Sequence, residues 1–452
     1  MRRSKAASAV PASAAIAVVL SAGVAAIAAA LAPPAAVAAA PRTAVVDLGG
    51  PRAYVRPGGA VPLAGIALFV RAGLDRETTA QNGLAALVAE SVLQTPATAP
   101  ATSSDAAVPL TDAVTAAGGS IGYAVGPQSV RFYLEGTPEA IAAAAPLVAR
   151  ALAAPSFDQA TLTAARAALA DRISDEESDP RLVGRAMLRS AYYRDGAGLP
   201  PLGSTTSLAS FDPSAAKAFY EKWYRRGDAV VATVGRTGDA TAAATRALVA
   251  ALPPGTTPAT ALATRPPGTQ LKRIVTHRDV PAPYIVLGFA APSLGDRDFA
   301  AALVMRALLN SVFDRTSATT VPPLFRSAGA LYGYDASPAQ LVLWINGARI
   351  DPETALGALS GVVKAASGKP LGAAVLSRYK ETARGEWTLE TVSLDERAFA
   401  IGNAVTHGLD ADASDAVTAA IAQVTAADVQ RVAKKYFQKF DIALIIPRTS
   451  DS

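Results

Sequence analysis

Hydrophobic positions along the chain follow two patterns, one typical of strands and one typical of helices. Residues 41–70, and the stretch IGYAVGPQSVRFYLEG after Gly118-Gly119-Ser120, have the short apolar runs and turn residues of strands and of a hairpin. Runs rich in Ala and Leu predict helices at about 79–95, 137–153 and 158–176. Because strands and helices come in blocks, we expect an α+β fold with helices on one face of a sheet.

The pattern of the first part of the chain returns in the second part. Residues 66–93 and 285–310 both pass from a β-rich stretch, through a turn containing Asp-Arg, into an Ala/Leu helix, at an offset of 219 positions. Residues 211–235 and 424–447 both place a helix before a strand, which pairs Tyr224 with Tyr436 at an offset of 212. Two landmarks at nearly equal offsets predict an internal duplication.

A segment rich in Pro, Gly and Thr divides the two copies. Residues 253–269 read PPGTTPATALATRPPGT, a composition that predicts an exposed linker. The first half is then residues 41–252 and the second half residues 270–448. Each half is expected to be a mixed, largely antiparallel sheet packed against helices.

The first 38 residues have the layout of a secretory signal peptide. A basic run that includes Arg2 precedes an apolar stretch to about Leu31 and then small residues. Ala36-Val37-Ala38 fits the small-x-small rule, which places cleavage after Ala38. The alternative is an uncleaved membrane anchor, because an apolar stretch of roughly 20 residues can span a bilayer. In either case we expect an exported protein, periplasmic or extracellular, that contacts a membrane only if the segment is retained.

Composition limits the chemistry of the chain. Without the three basic residues of the signal segment, 39 of the 42 basic residues remain against 37 acidic ones, and no basic stripe is interleaved with aromatic residues, so nucleic acid is not an expected partner. The absence of cysteine excludes disulfides and Cys-based metal sites. The two histidines, His277 and His407, are 130 positions apart and lack the spacing of a helical zinc site.

Short motifs follow one another in a fixed order through the first half. They are Ala72-Gly73 at a strand end, Glu77, GLAALVAESVLQTP at 83–96, Gly118-Gly119-Ser120, TLTAARAALADRISDEESDP at 161–180, Tyr193, Leu202-Gly203 and a closing FYEKWYRRGDAVVATVG. This order resembles that of the pitrilysin/insulinase metallopeptidase family, the inverzincins. The resemblance covers essentially all of the chain after the signal segment, and it implies that the two halves together form one half of a clamshell.

The resemblance also implies that the zinc site of the family is degenerate here. Active members carry His-x-x-Glu-His on the first helix, with the histidines as zinc ligands, the Glu as general base and a second Glu downstream as third ligand. Ala86 stands at the first His, Ala89 at the base and Glu90 at the second His. Arg172 stands at the third ligand, where it brings positive charge to a cation site. We therefore expect no metal, no cofactor and no catalytic residue in this chain, with zinc in a partner subunit.

A segment of the second half keeps its resemblance to the family. In related chains it supplies an Arg and a Tyr that hold the substrate backbone, and here it reads PLFRSAGALYGYDAS at 323–337. Arg326 falls on the Arg and Tyr332 on the Tyr, while Tyr334 is a rival because the spacing is one residue shorter. A guanidinium can donate two hydrogen bonds to carbonyl oxygens, and a phenol can donate to an oxyanion. The alternative is that Arg326 caps a helix and the tyrosines pack in a strand.

Three functions follow from these features. The resemblance implies a non-catalytic, substrate-binding subunit that supplies its Arg/Tyr pair to a zinc-bearing paralogous subunit and binds extended peptides at a sheet edge near residues 121–125. The second function is a clamshell scaffold or peptide-binding protein of the cell envelope with no role in catalysis. The third is an enzyme with a new site, for which no motif is found: the Gly-Arg-Thr-Gly of residues 235–238 lacks the lysine of a phosphate loop.

Overall fold

The computed structural model describes residues 42–59, 61–98, 107–194, 196–258, 260–262, 272–319, 326–334, 339–347 and 352–448. The predicted signal peptide, residues 1–38, and part of the predicted linker lie outside these ranges. Within them, the structure contains no helix whose length and hydropathy would let it cross a bilayer.

The first half is built on a six-stranded sheet with the order β1-β2-β8-β3-β7-β6, in which β2 and β8 are the parallel pair. A separate pairing joins β4 to β5. The strands of this half are β1 (Ala44–Asp47), β2 (Arg52–Pro57), β3 (Ala64–Val70), β4 (Pro96–Ala97), β5 (Val108–Pro109), β6 (Ser120–Val125), β7 (Val130–Gly136) and β8 (Val230–Gly235). Its helices are α1 (Leu84–Gln94), α2 (Leu110–Ala116), α3 (Pro138–Ala153), α4 (Gln159–Ser178), α5 (Pro180–Tyr192), α6 (Thr205–Ser210), α7 (Pro213–Trp223) and α8 (Asp239–Ala251).

The second half is built on a five-stranded sheet with the order β11-β12-β10-β13-β9, in which β13 and β9 are the parallel pair. Its strands are β9 (Arg273–Arg278), β10 (Tyr284–Ala291), β11 (Ser327–Gly333), β12 (Ala339–Asn346) and β13 (Asp441–Pro447). Its helices are α9 (Phe299–Thr319), α10 (Pro352–Gly368), α11 (Ala373–Glu390), α12 (Leu394–Thr406), α13 (Ala413–Gln423) and α14 (Ala426–Tyr436).

Strand order confirms that the halves are copies of one unit. Read from the edge, β6-β7-β3-β8-β2 and β11-β12-β10-β13-β9 have the same connectivity, and the parallel pair comes last in both. The first sheet adds β1 beyond that pair. The fold class is therefore α+β with two homologous halves, each a largely antiparallel sheet packed against helices, as the sequence predicts. The predicted hairpin is confirmed as β6 and β7.

One helix of each half packs on the sheet of the other half. Leu188 of α5 lies among buried residues of the second sheet, including Val286 and Ile445. Ile401 of α12 lies among buried residues of the first sheet, including Phe69. Each sheet is thus covered by its own helices on one face and by a helix of the other half on the opposite face. The boundary at residue 252 therefore separates the two halves in sequence, but side chains of each half pack in the core of the other.

Two sequence predictions need correction. The first helix begins at Leu84 rather than near residue 79, because residues 79–81 form a 3-10 turn and Gly83 has a left-handed φ of 103°. The linker is not exposed throughout its described part. Thr257 and Leu262 are both buried. Thr257 donates to the carboxylate of Asp228, and Leu262 packs in a small apolar cluster with Tyr192 and Tyr193.

Candidate functional site

Helices α1 and α4 bring the predicted zinc-site positions together. α1 is buried along almost its whole length, and Ala86 and Ala89 are fully enclosed in the core of the first half. Glu90 lies one turn beyond Ala86, so both side chains are on the same face of the helix. α4 packs along α1 and places Nη1 of Arg172 3.7 Å from Oε2 of Glu90. The positions are adjacent, as the resemblance implies.

An ion pair and an aromatic ring occupy this site. Oε1 of Glu90 accepts a hydrogen bond from the amide of Gln94 at 2.9 Å, while the guanidinium of Arg172 lies over the ring of Tyr123, 4.8 Å from its centroid. Burial and the charge of Glu90 raise the pKa of the Tyr123 hydroxyl well above its ordinary value, so the phenol stays protonated. Sequence reasoning missed Gln94 and Tyr123. The i, i+4 spacing of Glu90 and Gln94 is a signal that could have found the first.

These side chains do not fit a zinc ion. Two of the four positions are methyl groups, and the remaining carboxylate is already paired with a cation, so no set of lone pairs converges on one point. Among the residues that the structure describes, no three His, Cys, Asp or Glu side chains are grouped as metal ligands. His277 lies in β9. His407 directly follows α12, and its Nδ1 lies 2.8 Å from the backbone carbonyl of Asn403 in the last turn of that helix.

A buried carboxylate holds the start of α1. Glu77 accepts hydrogen bonds from the backbone N–H groups of Gly83 and Ala85 and from the amide of Asn82, at 2.7 to 3.1 Å. The two backbone N–H groups are among the donors that a helix leaves unpaired at its first turn. Burial raises the pKa of Glu77 to about 7, although the three hydrogen bonds oppose that rise. Glu77 is therefore a structural group at the N-terminus of the site helix.

The predicted Arg/Tyr pair lies at the edge strand of the second sheet. Arg326 directly precedes β11; its backbone N–H donates to Asn346, and its side chain is exposed. Tyr332 is buried: its hydroxyl donates to the carbonyl of Pro292 at 2.6 Å, and its ring packs on Phe299. Tyr332 would have to leave this bond before it could donate to a substrate.

Tyr334 lies two positions beyond Tyr332, on the same face of the strand and at its end. The side chain is half-buried, with ring centroids 5.2 Å from Trp387 and 5.7 Å from Phe399. Arg326 and Tyr334 therefore flank the two ends of β11, while Tyr332 belongs to the core between them. The packing alternative of the sequence analysis thus describes Tyr332 better than it describes Arg326.

The second half contains a counterpart of the Glu90–Arg172 pair with the charges exchanged. Arg306 of α9 lies 3.2 Å from Glu386 and 2.8 Å from Glu390, both on α11. The offsets of 216 positions from Glu90 to Arg306 and 214 from Arg172 to Glu386 fall within the range of the duplication. The two pairs differ in exposure, since the side chain of Arg306 is 2% exposed and that of Arg172 is 41% exposed.

Comparison with known proteins finds similarity to peptidases of one family. Residues 210–329 match the family model described as the peptidase M16 inactive domain, M16 being another name of the pitrilysin/insulinase family. A protease from Helicobacter pylori has a TM-score of 0.78 at 15% identity, covering 90% of this chain and 100% of that chain. The peptidase M16 inactive domain from Pseudomonas fluorescens has a TM-score of 0.74 at 17% identity, covering 91% and 99%.

A longer chain shares the same fold. The periplasmic protease PqqL from Escherichia coli has a TM-score of 0.66 at 12% identity, and the match covers 88% of this chain but 44% of that one. At these identities the solved structures establish the fold of the chain. A search of curated protein sequences gives no significant match.

Proposed function

Because the chain is of the inactive pitrilysin/insulinase type, we propose that it is the non-catalytic, substrate-binding subunit of an exported heteromeric zinc peptidase. The observation that carries this proposal is the contrast between its two halves. The family fold is retained throughout, yet methyl groups and an ion pair stand at the zinc-site positions, while Arg326 is exposed at the edge of the second sheet. Catalysis then belongs to a paralogous subunit that carries the zinc.

The coverage of the solved structures supports a partner of similar size. The match covers 100% and 99% of two of the matched chains, but 44% of the longer periplasmic protease. A relative that is about twice as long can form both halves of a clamshell from one chain. In this proposal this chain supplies one half of the clamshell, and the zinc-bearing subunit supplies the other. The periplasmic location named for the longer relative, together with the predicted signal peptide, supports export.

Edge strands supply the peptide-binding surface in this proposal. β6 lies at one edge of the first sheet and pairs with β7, so its other side presents backbone N–H and C=O groups that an extended peptide can pair with. Main-chain pairing selects substrates by extension rather than by sequence. Arg326 would donate to substrate carbonyl oxygens, and Tyr334 is the tyrosine whose position at the end of β11 suits the same task.

The test is reconstitution with a zinc-bearing M16 subunit from the same organism. Cleavage of a fluorogenic unstructured peptide is measured for each chain alone and for the mixture, with zinc content determined on the purified chains. We expect cleavage from the mixture and none from this chain. Arg326→Ala should lower kcat/KM of the mixture about tenfold or more, since charge-assisted hydrogen bonds to the substrate are lost. Arg236→Ala, which removes an exposed charge elsewhere, is the matched control.

Two outcomes would contradict the proposal. Cleavage by this chain alone, with bound zinc, would place the active site here. A complex that forms and cleaves equally well with Arg326→Ala, Tyr332→Phe and Tyr334→Phe would instead favour the scaffold function, in which the chain has no role in catalysis.

A further inference from the structure

We propose that the degenerate zinc site has become a binding site for the main chain of an extended peptide, with Arg172 as the donor to a peptide carbonyl and with Tyr123 and Glu90 as the residues that position it. The inference rests on the proposed function and adds to it a residue of the first half. The site therefore holds peptide without cutting it.

Arg172 has donors to spare. Among the described residues its guanidinium makes no hydrogen bond, and its contact with Glu90, at 3.7 Å, is an ion pair beyond hydrogen-bond distance. A guanidinium carries five N–H donors in a planar fork that can serve carbonyl oxygens. With 41% of its side chain exposed, Arg172 can reach a ligand without any rearrangement of the core.

Tyr123 directs the guanidinium toward the sheet edge. It belongs to β6, the edge strand, and its buried ring packs against Phe132 of the neighbouring strand. Because the guanidinium lies 4.8 Å from the centroid of this ring, the cation is held beside the strand to which a peptide would be added. The donor thus stands next to the backbone surface that the proposed function assigns to substrate.

Carboxylates balance the charge of the site. A lone exposed arginine favours anions, but Glu90 pairs with Arg172. The charge of Glu176, which also interacts with Arg172, is offset by Arg185, so the group has no net charge. A neutral site with free N–H donors suits a carbonyl dipole better than a carboxylate. The amide of Gln94 donates to Glu90 and so holds the carboxylate in its position next to Arg172.

The ion pairs of Arg306 in the second half are the counterpart of the Arg172–Glu90 pair, and the side chain of Arg306 is buried in the core. Arg306 is 2% exposed and forms ion pairs with two carboxylates at 3.2 and 2.8 Å. Its guanidinium is enclosed, so it cannot meet a ligand. Among the described residues Arg172 makes one ion pair, at the longer distance of 3.7 Å, and its guanidinium is open to solvent. This difference between two positions related by the duplication points to binding in the first half.

The test measures binding of defined peptides to the purified mature chain by fluorescence anisotropy. The probe is a fluorescein-labelled 20-residue peptide of Gly, Ser, Ala and Val with both termini blocked, and a second probe has a free C-terminal carboxylate. We expect Arg172→Ala to raise the Kd for the blocked peptide about tenfold, while Arg172→Lys, which keeps the charge but loses the fork, recovers part of the affinity. Arg150→Ala, an exposed arginine on α3, is the control and should bind as the wild type does.

Variants of the positioning residues add readouts that a structural role would not change. Tyr123→Phe keeps the aromatic face and should bind normally, whereas Tyr123→Leu should bind less tightly. Glu90→Gln should create a preference for the free carboxylate that the wild type lacks. Circular dichroism confirms that each variant is folded.

The outcomes separate the two proposals. Equal binding by the wild type and Arg172→Ala would overturn this inference and leave the proposed function standing. A wild type that binds only the free-carboxylate peptide would also overturn it, since the site would then recognise an anion. Failure of the wild type to bind either peptide, alone or with its zinc-bearing partner, would overturn both.

Discussion

Tyr332 lies in β11 and Tyr334 directly follows that strand, yet their surroundings differ. Because the hydroxyl of Tyr332 donates to Pro292 inside the core, Tyr332→Phe leaves a buried carbonyl oxygen unpaired. We expect the free energy of unfolding to fall by about 1–3 kcal/mol, with no change in the activity of the reconstituted complex. Tyr334→Phe should lower the turnover of the complex instead. Urea denaturation and peptide cleavage, measured on both variants, distinguish these results.

The reverse result would assign the substrate-binding role to Tyr332 and the structural role to Tyr334. If Tyr332→Phe slows cleavage while the urea midpoint stays constant, Tyr332 leaves Pro292 in the complex and acts on the substrate.

Glu77 gives the stability of the chain a dependence on pH. Burial raises its pKa to about 7 from the ordinary value of 4.5, so as pH rises the side chain ionises in the unfolded state before it ionises in the folded state. Below pH 4.5 the side chain is protonated in both states and carries no penalty. As pH rises from 4.5 to about 7, the free energy of unfolding should fall, on the order of 3 kcal/mol for a shift of this size, and then level off.

The measurement compares the wild type with Glu77→Gln by urea unfolding at pH 4.5, 5.5, 7 and 8. The amide of the variant adds an offset that does not depend on pH. The unfolding free energy of the wild type minus that of Glu77→Gln should therefore decrease as pH rises through this window. If the two proteins show parallel plots of unfolding free energy against pH, Glu77 does not titrate there.

At the scale of elements, α1 leaves no free space for a histidine at position 86. Ala86 is fully buried in the core, so a histidine at this position must displace its neighbours. We expect Ala86→His to lower the free energy of unfolding by about 1–3 kcal/mol, as overpacking does. Ala142→His, on the exposed face of α3, is the control and should stay within about 0.5 kcal/mol of the wild type.

A core that can rearrange around α1 would give a different stability for Ala86→His. If Ala86→His is as stable as the control, the core around α1 adapts to large side chains, and the helix is not closed against a metal site.

How far the sequence predicts the elements depends on where the determining contacts lie. α3 and α4 begin within one residue of their predicted starts, because Thr137 and Asp158 are local N-cap residues whose side chains accept from the first turn. The start of α1 was misplaced, because it depends on the left-handed Gly83 and on hydrogen bonds to Glu77, six residues earlier.

The candidate site shows the same limit. The sequence predicts that Glu90 and Arg172 are adjacent, since helix order and family resemblance place them. The sequence does not predict that Arg172 lies over Tyr123 or that Tyr332 bonds to Pro292, because these contacts join residues about 50 and 40 positions apart through packing that no local pattern encodes.

At the scale of the whole molecule, two glycines determine how closely the halves join. A Cβ at Gly184 of α5 would collide with Val286 of the second sheet, and one at Gly402 of α12 would collide with the ring of Phe69 in the first. Glycine in a helix interior is about 1 kcal/mol less favourable than alanine, so its presence in both exchanged helices reflects this close approach. We expect Gly184→Ala and Gly402→Ala each to destabilise the chain despite their better helix propensity.

Calorimetry tests this prediction. The wild type should unfold in one transition, and each variant at a lower Tm, with Gly361→Ala as the control because open space surrounds that glycine. Variants that melt at a higher temperature than the wild type would mean that the helices can move outward at no cost.

The packing of one helix from each half on the sheet of the other half also restricts motion between the halves. Bending between the halves would pull Leu188 away from Val286 and Ile401 away from Phe69, exposing apolar surface on both sheets at once. The chain therefore resists bending within itself and behaves as one rigid body. In the proposed complex, a gate that admits a peptide would therefore open at the contact between this chain and its partner, and the rate of entry would be a property of the pair and not of this polypeptide.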